Sequence, residues 1–483
     1  MMPKSSPTAP LDRRSFLKYS SLSLLSLAAA CNTQSLPKDP DDPNNPDPPK
    51  ELLHPNVLFI AVDDLNTWVY GKPGYPKPKT PNFDRLLEKS TQFSQAYCPA
   101  PYCNPSRSAV LTGVMPSNSG VYPNEYPFRD SPVLADSVTI PQHFAANNYK
   151  VMGAGKIFHK PDEASWDEDY FYDYFGPYPD ENTLPLTGMQ ETDYYFDWGQ
   201  LDIPLEEMGD WRAALWVSEQ LAQTYTQPFF LGYGINKPHL PWYAPPEYYE
   251  LYPLDSFEIP LMKEDDLADL PSKGVAIARP QDDHAMILKY GKWKEAIQAY
   301  LACTSFFDDC LGVVLDTLES SPHKDKTMIV LWSDHGWHLG EKEHWRKSTL
   351  WEEACNIPML ISMPGQTSKQ DCSALVSSID LYPTLVETCH LSAKEGLDGS
   401  SLSPLLKDPN AQWDKAAITT HDYNQHAVRL GKWRYIRYNN GQEELYDREA
   451  DPREWTNLAS NSAYSSVIED LRKYLPQVNV KLD

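Results

Sequence analysis

Two uninterrupted apolar runs of strand length lie far apart in the chain. Val57–Val62 reads VLFIAV and Met328–Trp332 reads MIVLW, and neither alternates with polar residues. Continuous apolar runs of this length are typical of strands in a parallel sheet that is buried on both faces. The pattern therefore predicts an α/β fold with these two strands in its central sheet.

A helical period replaces the strand pattern in AIQAYLACTSFFDDCLGVVLDTL, where apolar residues recur at helical spacing. Cys303 and Cys310 lie in this segment, and seven helical residues separate them by roughly 10 Å, which is too far for a disulfide. Near the C-terminus, HDYNQHAVRLGKWRYIRY is strand-like and YSSVIEDLRKYL is helical. We predict a smaller C-terminal α+β subdomain, residues 401–483, of antiparallel strands with one helix.

The N-terminus has the pattern of an export signal. DRRSFLK, Asp12 to Lys18, precedes a short apolar run that ends at Cys31 and resembles a twin-arginine signal. LAAAC resembles a lipoprotein cleavage box in which Cys31 is lipidated, although Ala28 and Ala30 also fit an ordinary signal-peptidase site. We predict a signal over residues 1–31, a Pro/Asp-rich tether over 32–53, and export to the periplasm or cell surface with a possible lipid anchor at Cys31.

Composition narrows the possible partners. The chain has 483 residues, enough for a large catalytic domain over 54–400 beside the smaller subdomain. Its net charge of −25 argues against nucleic-acid binding. The 29 tyrosines and 14 tryptophans suit carbohydrate or another amphipathic ligand, though core packing alone could also use them.

Acidic residues follow both predicted strands. Asp63 and Asp64 come directly after the first, and Asp334 and His335 follow the second. Ligands gather at the carboxyl ends of strands in open α/β sheets. Turns or helix caps would explain one such group, but three aspartates and a histidine from two strands predict a divalent cation. Oxygen ligands favour Ca²⁺ or Mg²⁺ over zinc.

The segment CNPSRSAVLTG predicts a helix with a cysteine at its mouth. Pro105 suits the first turn and Gly113 suits the end. Cys103 therefore lies at or just before the N-terminus, where backbone N–H groups and the helix dipole favour an anion. Arg107, one turn further on, can reach back to the same point. The stretch predicts an anion site built around a cysteine.

This segment also resembles a known signature. Cys103-Asn104-Pro105-Ser106-Arg107, followed by Thr112-Gly113, resembles the signature of the type I sulfatases. The resemblance runs from about Asn56 to the C-terminal ELYDREADPREWTNLA and implies an alkaline-phosphatase-like, mixed and mostly parallel sheet between helices. It also implies that a formylglycine-generating enzyme oxidises Cys103 to formylglycine (3-oxoalanine), whose hydrate is the nucleophile. Cys103 would then be unpaired, while the six cysteines other than it and Cys31 could all pair or all stay free.

The resemblance implies a role for each motif residue. A Ca²⁺ would be held by Asp63, Asp64, Asp334, His335 and the modified Cys103. Arg107 would orient the formylglycine hydrate with support from His159. The sulfate would be faced by Lys156, His239 and Lys347, and His239 or Lys347 would protonate the leaving oxygen. His344 or Arg346 could take the place of Lys347.

Within the family, KPHLPWYAPPEYYELYP, GKIFH and SDHGWHLGE are most similar to the iduronate-2-sulfatases. The resemblance implies hydrolysis of sulfate esters on a sulfated glycan, with a 2-O-sulfated uronate favoured. His426 and Arg429 either reach the carboxylate of such a substrate or lie, with Arg434, on the outward basic face of a packed sheet.

Three other functions stay open. The substrate could be an algal polysaccharide such as carrageenan or ulvan. The same nucleophile and metal could instead cleave a phosphate or phosphonate monoester, and a non-enzyme alternative is a surface lipoprotein that only binds glycans. The aromatic segment PYPDENTLPLTGMQETDYYFDWG is interpreted as an ordered insertion rather than a sugar platform.

Overall fold

The computed structural model describes residues 54–167, 170–171, 175–192 and 195–482, so the predicted signal and tether lie outside the described residues. The strands, numbered in chain order, are β1 (Asn56–Val62), β2 (Thr91–Phe93), β3 (Ala96–Tyr97), β4 (Lys150–Gly155), β5 (Tyr170–Phe171), β6 (Trp198–Gln200), β7 (Phe229–Ile235), β8 (Trp242–Ala244), β9 (Thr327–Ser333), β10 (His338–Leu339), β11 (Trp345–Arg346), β12 (Asn356–Ile357), β13 (Met359–Ser362), β14 (Gln370–Cys372), β15 (Val376–Ser377), β16 (Ala417–Thr420), β17 (His426–Leu430), β18 (Trp433–Arg437) and β19 (Glu443–Asp447). The α-helices are α1 (Pro81–Leu87), α2 (Cys103–Thr112), α3 (Pro116–Ser119), α4 (Ile140–Ala146), α5 (Gly209–Leu221), α6 (Pro246–Glu250), α7 (Ser272–Ala278), α8 (Asp283–Tyr290), α9 (Trp293–Ser320), α10 (Glu352–Cys355), α11 (Leu381–Thr388), α12 (Ser403–Lys407) and α13 (Ser465–Arg472).

The central sheet has eight strands in the order β14-β2-β13-β9-β1-β7-β4-β5. Strands β9, β1, β7, β4 and β5 run parallel to one another, whereas β13 is antiparallel to both of its neighbours. The predicted strands are the neighbours β1 and β9 at its centre. The prediction of a mixed, mostly parallel sheet is confirmed.

Side chains of β1 alternate between two hydrophobic cores. Leu58, Ile60 and Val62 pack on one face with residues of α5 and α9. Their neighbours in sequence pack on the other face with residues of α2, α4 and α11. Because helices cover both faces, every position of the strand is buried, which explains the unbroken apolar run.

The C-terminal strands β16 to β19 form an antiparallel sheet of four in sequence order. Helix α13 packs Ile468 and Leu471 against it, beside Val428, Tyr435 and Leu445. The predicted antiparallel strands and helix are therefore confirmed, while the boundary at residue 400 stays a prediction. Within the described residues, no helix is both long and apolar enough to cross a membrane.

The seven described cysteines are all buried free thiols. Cys303 and Cys310 both lie in α9, so the predicted helix without a bridge between them is confirmed. Of the two alternatives for the six cysteines besides Cys103 and Cys31, the structure has the free thiols.

Candidate active site

Four neighbouring parallel strands of the central sheet end at one edge, and each is followed by an ionisable side chain. Val62, the last residue of β1, lies opposite Ser333 of β9 on one side and Ile235 of β7 on the other. This register brings together the residues that follow the strands, namely Asp63 and Asp64 after β1, Asp334 and His335 after β9, His239 after β7, and Lys156 after β4. The strand register therefore brings the acids, both histidines and Lys156 to one edge of the sheet.

The turn after β1 is fixed by a residue of the longest helix. Asp64 has a left-handed backbone, with φ 60°, which aspartate tolerates better than most residues. The Tyr300 hydroxyl of α9 donates to the Asp64 carbonyl at 2.8 Å and accepts from the Asn66 N–H at 2.9 Å. This bridge holds both carboxylates of the turn in place.

Helix α2 begins at Cys103 and ends before Gly113, whose φ is 77°, as the sequence predicts. The Cys103 sulfur lies 3.6 Å from Asp63 Oδ1 and 3.3 Å from His335 Nε2. The Ser106 hydroxyl donates to the Asp334 carbonyl at 2.5 Å, which fixes the first turn against the end of β9. Cys103 thus lies at a helix start beside the edge of the sheet, where the positive end of the helix dipole favours an anion.

Arg107 lies beneath this helix start and is wholly buried. Its Nε donates to Asp334 Oδ2 at 2.8 Å, and its Nη2 lies 3.7 Å from Asp63 Oδ2. Nη1 donates to the carbonyls of Lys156 and Ile157. One guanidinium therefore joins the ends of three strands to α2.

Two lysines cover the acids from the solvent side. Lys347 Nζ donates to Asp64 Oδ1 at 2.8 Å and lies 4.9 Å from the centre of the Trp337 ring. Lys156 Nζ forms an ion pair with Asp63 Oδ2. His239 is partly exposed, with Nε2 3.8 Å from Asp64 Oδ2.

Glycines allow Lys156 to approach the acids. Gly155 has φ 76°, and a Cβ there would lie 1.9 Å from the Gly234 carbonyl oxygen. A Cβ at Gly234 would in turn lie 2.1 Å from the Lys156 carbonyl carbon. Because only glycine fits at either position, the ends of β4 and β7 close around the Lys156 backbone.

The charges around Cys103 favour an anion at its side chain. Burial acts to raise the pKa of the thiol, but Lys347, Lys156 and His335 together hold the pKa well below its usual value. His159 hydrogen-bonds to the same sulfur, while burial lowers the pKa of His159. Position 103 therefore suits a negatively charged nucleophile or the anionic group that such a nucleophile attacks.

The acids themselves repel one another. Burial and the neighbouring Asp63 raise the pKa of Asp334 to about 6 against the opposing effect of Arg107. Burial disfavours charged His335, yet Asp334 and Cys103 raise its pKa to about 9. Asp63 Oδ2 is buried and accepts no well-formed hydrogen bond from the described residues, although Lys156 and Arg107 pair with its charge. A cation would relieve this repulsion.

These side chains fit a divalent metal. One group of ligand atoms that all lie within 4.8 Å of one another comes from Asp63, Cys103, Asp334 and His335. A second group within the same distance comes from Asp63, Asp64, Cys103 and His239. The predicted metal residues therefore lie together, and the donor set, dominated by carboxylate oxygens, suits a hard cation.

A cavity of about 760 Å³ opens above this centre. Its floor is lined by Lys156, His159, His239 and Lys347. Its walls include side chains that the sequence analysis did not assign to the site, notably Tyr102, Asn124, Arg279, Trp337 and His421. Trp337 stands within SDHGWHLGE and Tyr102 directly precedes the Cys103 signature, so both could have been found there, whereas Asn124 and Arg279 belong to no motif.

The two alternatives to Lys347 have other partners. His344 contacts the carbonyls of Ala278 and Lys347, each at 2.7 Å. Arg346 pairs with Asp283 through both Nε and Nη2. Both line the cavity, but Lys347 is the residue of the three that contacts Asp64.

His426 and Arg429 do not lie in this cavity. His426 is 1 % exposed, contacts the Thr420 hydroxyl, and has a pKa lowered by burial to about 4. Arg429 is 4 % exposed and donates to the Tyr97 hydroxyl and to the carbonyls of Gly431 and Trp433. The structure thus places neither residue where it could meet a carboxylate of a substrate in the cavity.

The alternative of an outward basic face is also wrong. Arg434 is wholly buried and pairs with Glu352 and Glu454. Arg429 and Arg434 face inward and join the C-terminal sheet to the catalytic domain, Arg429 through the Tyr97 hydroxyl and Arg434 through Glu352. Arg437 of β18 is partly exposed and pairs with Glu443 inside the sheet.

Comparison with known proteins matches most of the chain. Residues 55–391 match the family model described as Sulfatase, and residues 340–481 match the C-terminal model of N-sulphoglucosamine sulphohydrolase. A sulfatase of Formosa agariphila is 40 % identical over 451 residues, covering 90 % of this chain and 89 % of that protein. Human iduronate 2-sulfatase is 31 % identical over 337 residues, covering 65 % of this chain and 60 % of that protein.

Solved structures share the fold. The phosphonate monoester hydrolase of Agrobacterium radiobacter gives a TM-score of 0.71 at 19 % identity and covers 87 % of this chain and 94 % of that one. A protein solved with its substrate D-glucosamine-2-N,6-O-disulfate gives a TM-score of 0.67 at 22 % identity, and the match covers 87 % of this chain and 97 % of that one. The predicted alkaline-phosphatase-like arrangement is confirmed.

Proposed function

This chain belongs to the sulfatase family and is a sulfuric ester hydrolase, and on that premise we propose that it removes sulfate from a sulfated saccharide. We propose further that the reaction uses a formylglycine derived from Cys103 and one Ca²⁺.

One observation carries the proposal. The buried Cys103 side chain lies beneath a cavity floor formed by Lys156, Lys347 and two histidines. A sulfate ester is a monoanion whose three peripheral oxygens need nearby positive charge when the nucleophile attacks sulfur. The same cations that lower the pKa of Cys103 would bind those oxygens. The floor therefore suits sulfate in position for attack from residue 103.

Each nearby residue has a distinct task in this mechanism. A hydrated formylglycine at position 103 would supply one hydroxyl to attack sulfur and a second to release the sulfate afterwards. Lys156 and Lys347 bind the sulfate oxygens, and His239 or Lys347 gives a proton to the leaving sugar oxygen. His159 orients residue 103. Arg107 is wholly buried against Asp334 and is not among the residues that line the cavity. In place of the expected role of orienting the hydrate, we assign it the task of fixing the helix start.

The metal would be held by Asp63, Asp64, Asp334 and His335. We propose Ca²⁺ because carboxylate oxygens predominate and because Ca²⁺ tolerates an irregular set of ligands. When bound, it would offset the mutual repulsion of the carboxylates and add positive charge beside the sulfate.

For the sugar we propose a 2-O-sulfated uronate. The support is the identity to the iduronate 2-sulfatases of mouse and human, at 32 % and 31 %. The cavity wall also offers Arg279, whose side chain is 67 % exposed and pairs with Asp282 at 2.5 Å. A guanidinium fork matches a planar carboxylate, and Arg279 has the access to the cavity that Arg429 lacks.

Two other substrate classes are alternatives to the 2-O-sulfated uronate. An ulvan-active sulfatase of Formosa agariphila is 24 % identical over 444 residues, so sulfated algal sugars form the second substrate class. The phosphonate monoester hydrolase shares the fold, and a phosphonate monoester is a monoanion, as a sulfate ester is. A phosphate monoester is a dianion and would call for more positive charge or a second metal.

The test is sulfate release from a panel of defined saccharides. The panel includes a 2-O-sulfated uronate disaccharide, carrageenan and ulvan oligosaccharides, and a phosphate ester. We expect the highest kcat/KM on the uronate and none with Cys103→Ala. Mass spectrometry of the Cys103 peptide from active enzyme should give the mass of the aldehyde. A thiol mass in fully active enzyme would contradict the nucleophile, and preference for the phosphate ester would contradict the reaction.

We also propose that the protein is exported by the twin-arginine route and anchored through a lipid on Cys31. The support is the N-terminal sequence alone. Cell fractionation with globomycin-free and globomycin-treated cells, together with Cys31→Ala, tests the anchor. Release of the variant into the soluble periplasmic fraction is expected, and unchanged membrane association would contradict it.

A further inference from the structure

Exposed aromatic rings concentrate at the mouth of the cavity. Among the described residues, five aromatic side chains are counted as exposed, and three of them line this one cavity. Phe175, Tyr178 and Tyr195 are 52 %, 49 % and 56 % exposed, respectively. Single exposed rings are ordinary on a protein surface, but three beside one polar cavity point to a binding surface.

The backbone that carries these rings is held at several points. The Gly176 carbonyl accepts from the N–H of Gly209, the first residue of α5. The Asp197 carboxylate accepts from the N–H groups of Leu186 and Thr187 at 2.8 and 2.9 Å. It also accepts from the Tyr243 hydroxyl at 2.6 Å. Rings on an anchored backbone lose little freedom when they bind a ligand, which favours affinity.

The cavity is also larger than the group that reacts in it. A sulfate occupies only the cationic floor, whereas the 760 Å³ volume lies in the range of about 300–1,000 Å³ that encloses whole small molecules. The aromatic rings line the same cavity and are about half exposed, whereas Lys156 and Lys347 of the floor are buried, so the rings lie toward the solvent. A ligand that fills both parts needs an anionic end and an apolar face, with hydroxyl groups that water can still reach.

A chain of pyranose rings has this chemistry. The C–H face of a pyranose packs flat on an aromatic ring, while its hydroxyl groups project sideways into water or onto tyrosine hydroxyls. We therefore propose that Phe175, Tyr178 and Tyr195 form a stacking platform for the sugar next to the sulfated one. The inference rests on the proposed function and adds that the substrate is an oligosaccharide of at least two residues. It departs from the sequence expectation that this segment is an ordered insertion and no sugar platform.

The test compares two substrates that differ only in length. One is a 2-O-sulfated uronate monosaccharide and the other is an oligosaccharide that ends in the same sulfated residue. The wild-type protein should prefer the oligosaccharide. The triple variant Phe175→Ala, Tyr178→Ala, Tyr195→Ala should lose roughly ten- to a hundredfold in kcat/KM on the oligosaccharide, and little on the monosaccharide.

Matched variants separate stacking from folding. Tyr178→Phe and Tyr195→Phe keep the rings and should retain most of the preference. Tyr423→Ala and Tyr474→Ala remove the two exposed aromatic side chains, among the described residues, that lie outside the cavity. Both variants should keep the wild-type kcat/KM on both substrates. Equal losses on both substrates in the triple variant, or no preference in the wild type, would overturn the platform.

A binding measurement distinguishes failure of the stacking platform from failure of the proposed function. Calorimetry with Cys103→Ala protein measures affinity for the same two saccharides without turnover. Tighter binding of the oligosaccharide that the triple variant loses would support the platform. If wild-type protein hydrolyses both saccharides equally, the platform alone is wrong. If it neither binds nor hydrolyses either saccharide or any member of the panel, the proposed substrate class is wrong and the platform with it.

Discussion

The guanidinium of Arg107 lies against the carboxylate of Asp334, with Nε 2.8 Å from Oδ2 and both side chains wholly buried. Arg107 is one turn into α2, and Asp334 directly follows β9. The pair therefore ties the helix that carries Cys103 to the strand that delivers two candidate metal ligands. Stability and activity are coupled at this point.

Arg107→Ala should destabilise the protein as well as inactivate it. The change leaves Asp334 and Asp63 buried with less compensating charge, and breaking a buried ion pair costs about 3–5 kcal/mol. Chemical denaturation measures the loss in free energy of unfolding. Lys473→Ala, which removes a fully exposed ion pair, should leave stability unchanged. A wild-type stability in Arg107→Ala would show that the buried pair is dispensable.

Cys103→Ala should stop sulfate release without unfolding the chain. The alanine keeps the helix start and removes only the side-chain atom that the lysines surround. Circular dichroism and the melting temperature are expected to stay close to those of the wild type while turnover vanishes. Residual turnover at the wild-type rate would exclude residue 103 as the nucleophile.

Calcium should raise the stability of the wild-type protein and restore activity after chelation. A ligand that binds only the folded state adds about 4 kcal/mol at a thousandfold excess over its Kd. Thermal unfolding with and without Ca²⁺ measures this, and elemental analysis should find one calcium per chain. Asp63→Asn should lose the stabilisation, whereas Asp371→Asn at an exposed position should retain it. Zinc, or two metals per chain, would contradict the proposal.

Arg279 and Arg429 should behave in opposite ways. Arg279→Ala is expected to cost a uronate substrate roughly ten- to a hundredfold in kcat/KM, because a charged hydrogen bond to the carboxylate is lost. The same variant should lower kcat/KM on a neutral sulfated galactose much less. Arg429→Ala should lower stability and leave the ratio between the two substrates unchanged, since its guanidinium bonds within the protein. Equal losses on both sugars in Arg279→Ala would remove its carboxylate role.

Gly234→Ala should displace Lys156 while leaving every ionisable side chain of the site in the sequence. The added methyl would lie 2.1 Å from the Lys156 backbone, which must move. We expect a loss of at least about 2 kcal/mol in stability from the local strain and a steep fall in kcat. Gly188→Ala makes a useful comparison because nothing lies within 4 Å of the added methyl there. Its positive φ of 74°, which Gly234 does not share, adds a backbone cost to the control only, so a larger loss in Gly234→Ala must come from packing. Similar losses in both variants would argue against the packing effect.

The sequence predicts the centre of this site well because the centre depends on strand ends. Buried parallel strands leave unbroken apolar runs, so the ends of β1 and β9 are visible in the sequence together with Asp63 and Asp334. The helix at Cys103 is visible for a similar reason, since Pro105 and Gly113 mark its start and end. Register then brings these short motifs together without further information.

The walls of the cavity could not be predicted in the same way. Arg279 directly follows the short helix α7 and has φ 51°, a conformation that the sequence around it does not predict. For His426 and Arg429, the strand-like pattern indicated a sheet but not which face meets the catalytic domain. Burial of an arginine requires buried acids, and Glu352, the acid near Arg429, lies in α10, far earlier in the chain. Such long-range partners decide whether a basic side chain faces a ligand or a core.

The complete burial of Cys103 limits when its thiol could be modified. In the folded protein the sulfur is enclosed by α2, by the strand ends and by two lysines, so a second enzyme has no access to it. The conversion that we propose for this thiol would therefore have to come before α2 docks on the sheet, while the segment is still an accessible peptide. A twin-arginine route carries proteins that are already folded, and the chemistry at residue 103 would then have to be finished during or soon after synthesis, in the cytoplasm. A copy that folds before this conversion would keep the Cys103 thiol permanently. The active fraction of a preparation would then equal the fraction of chains that were converted before they folded.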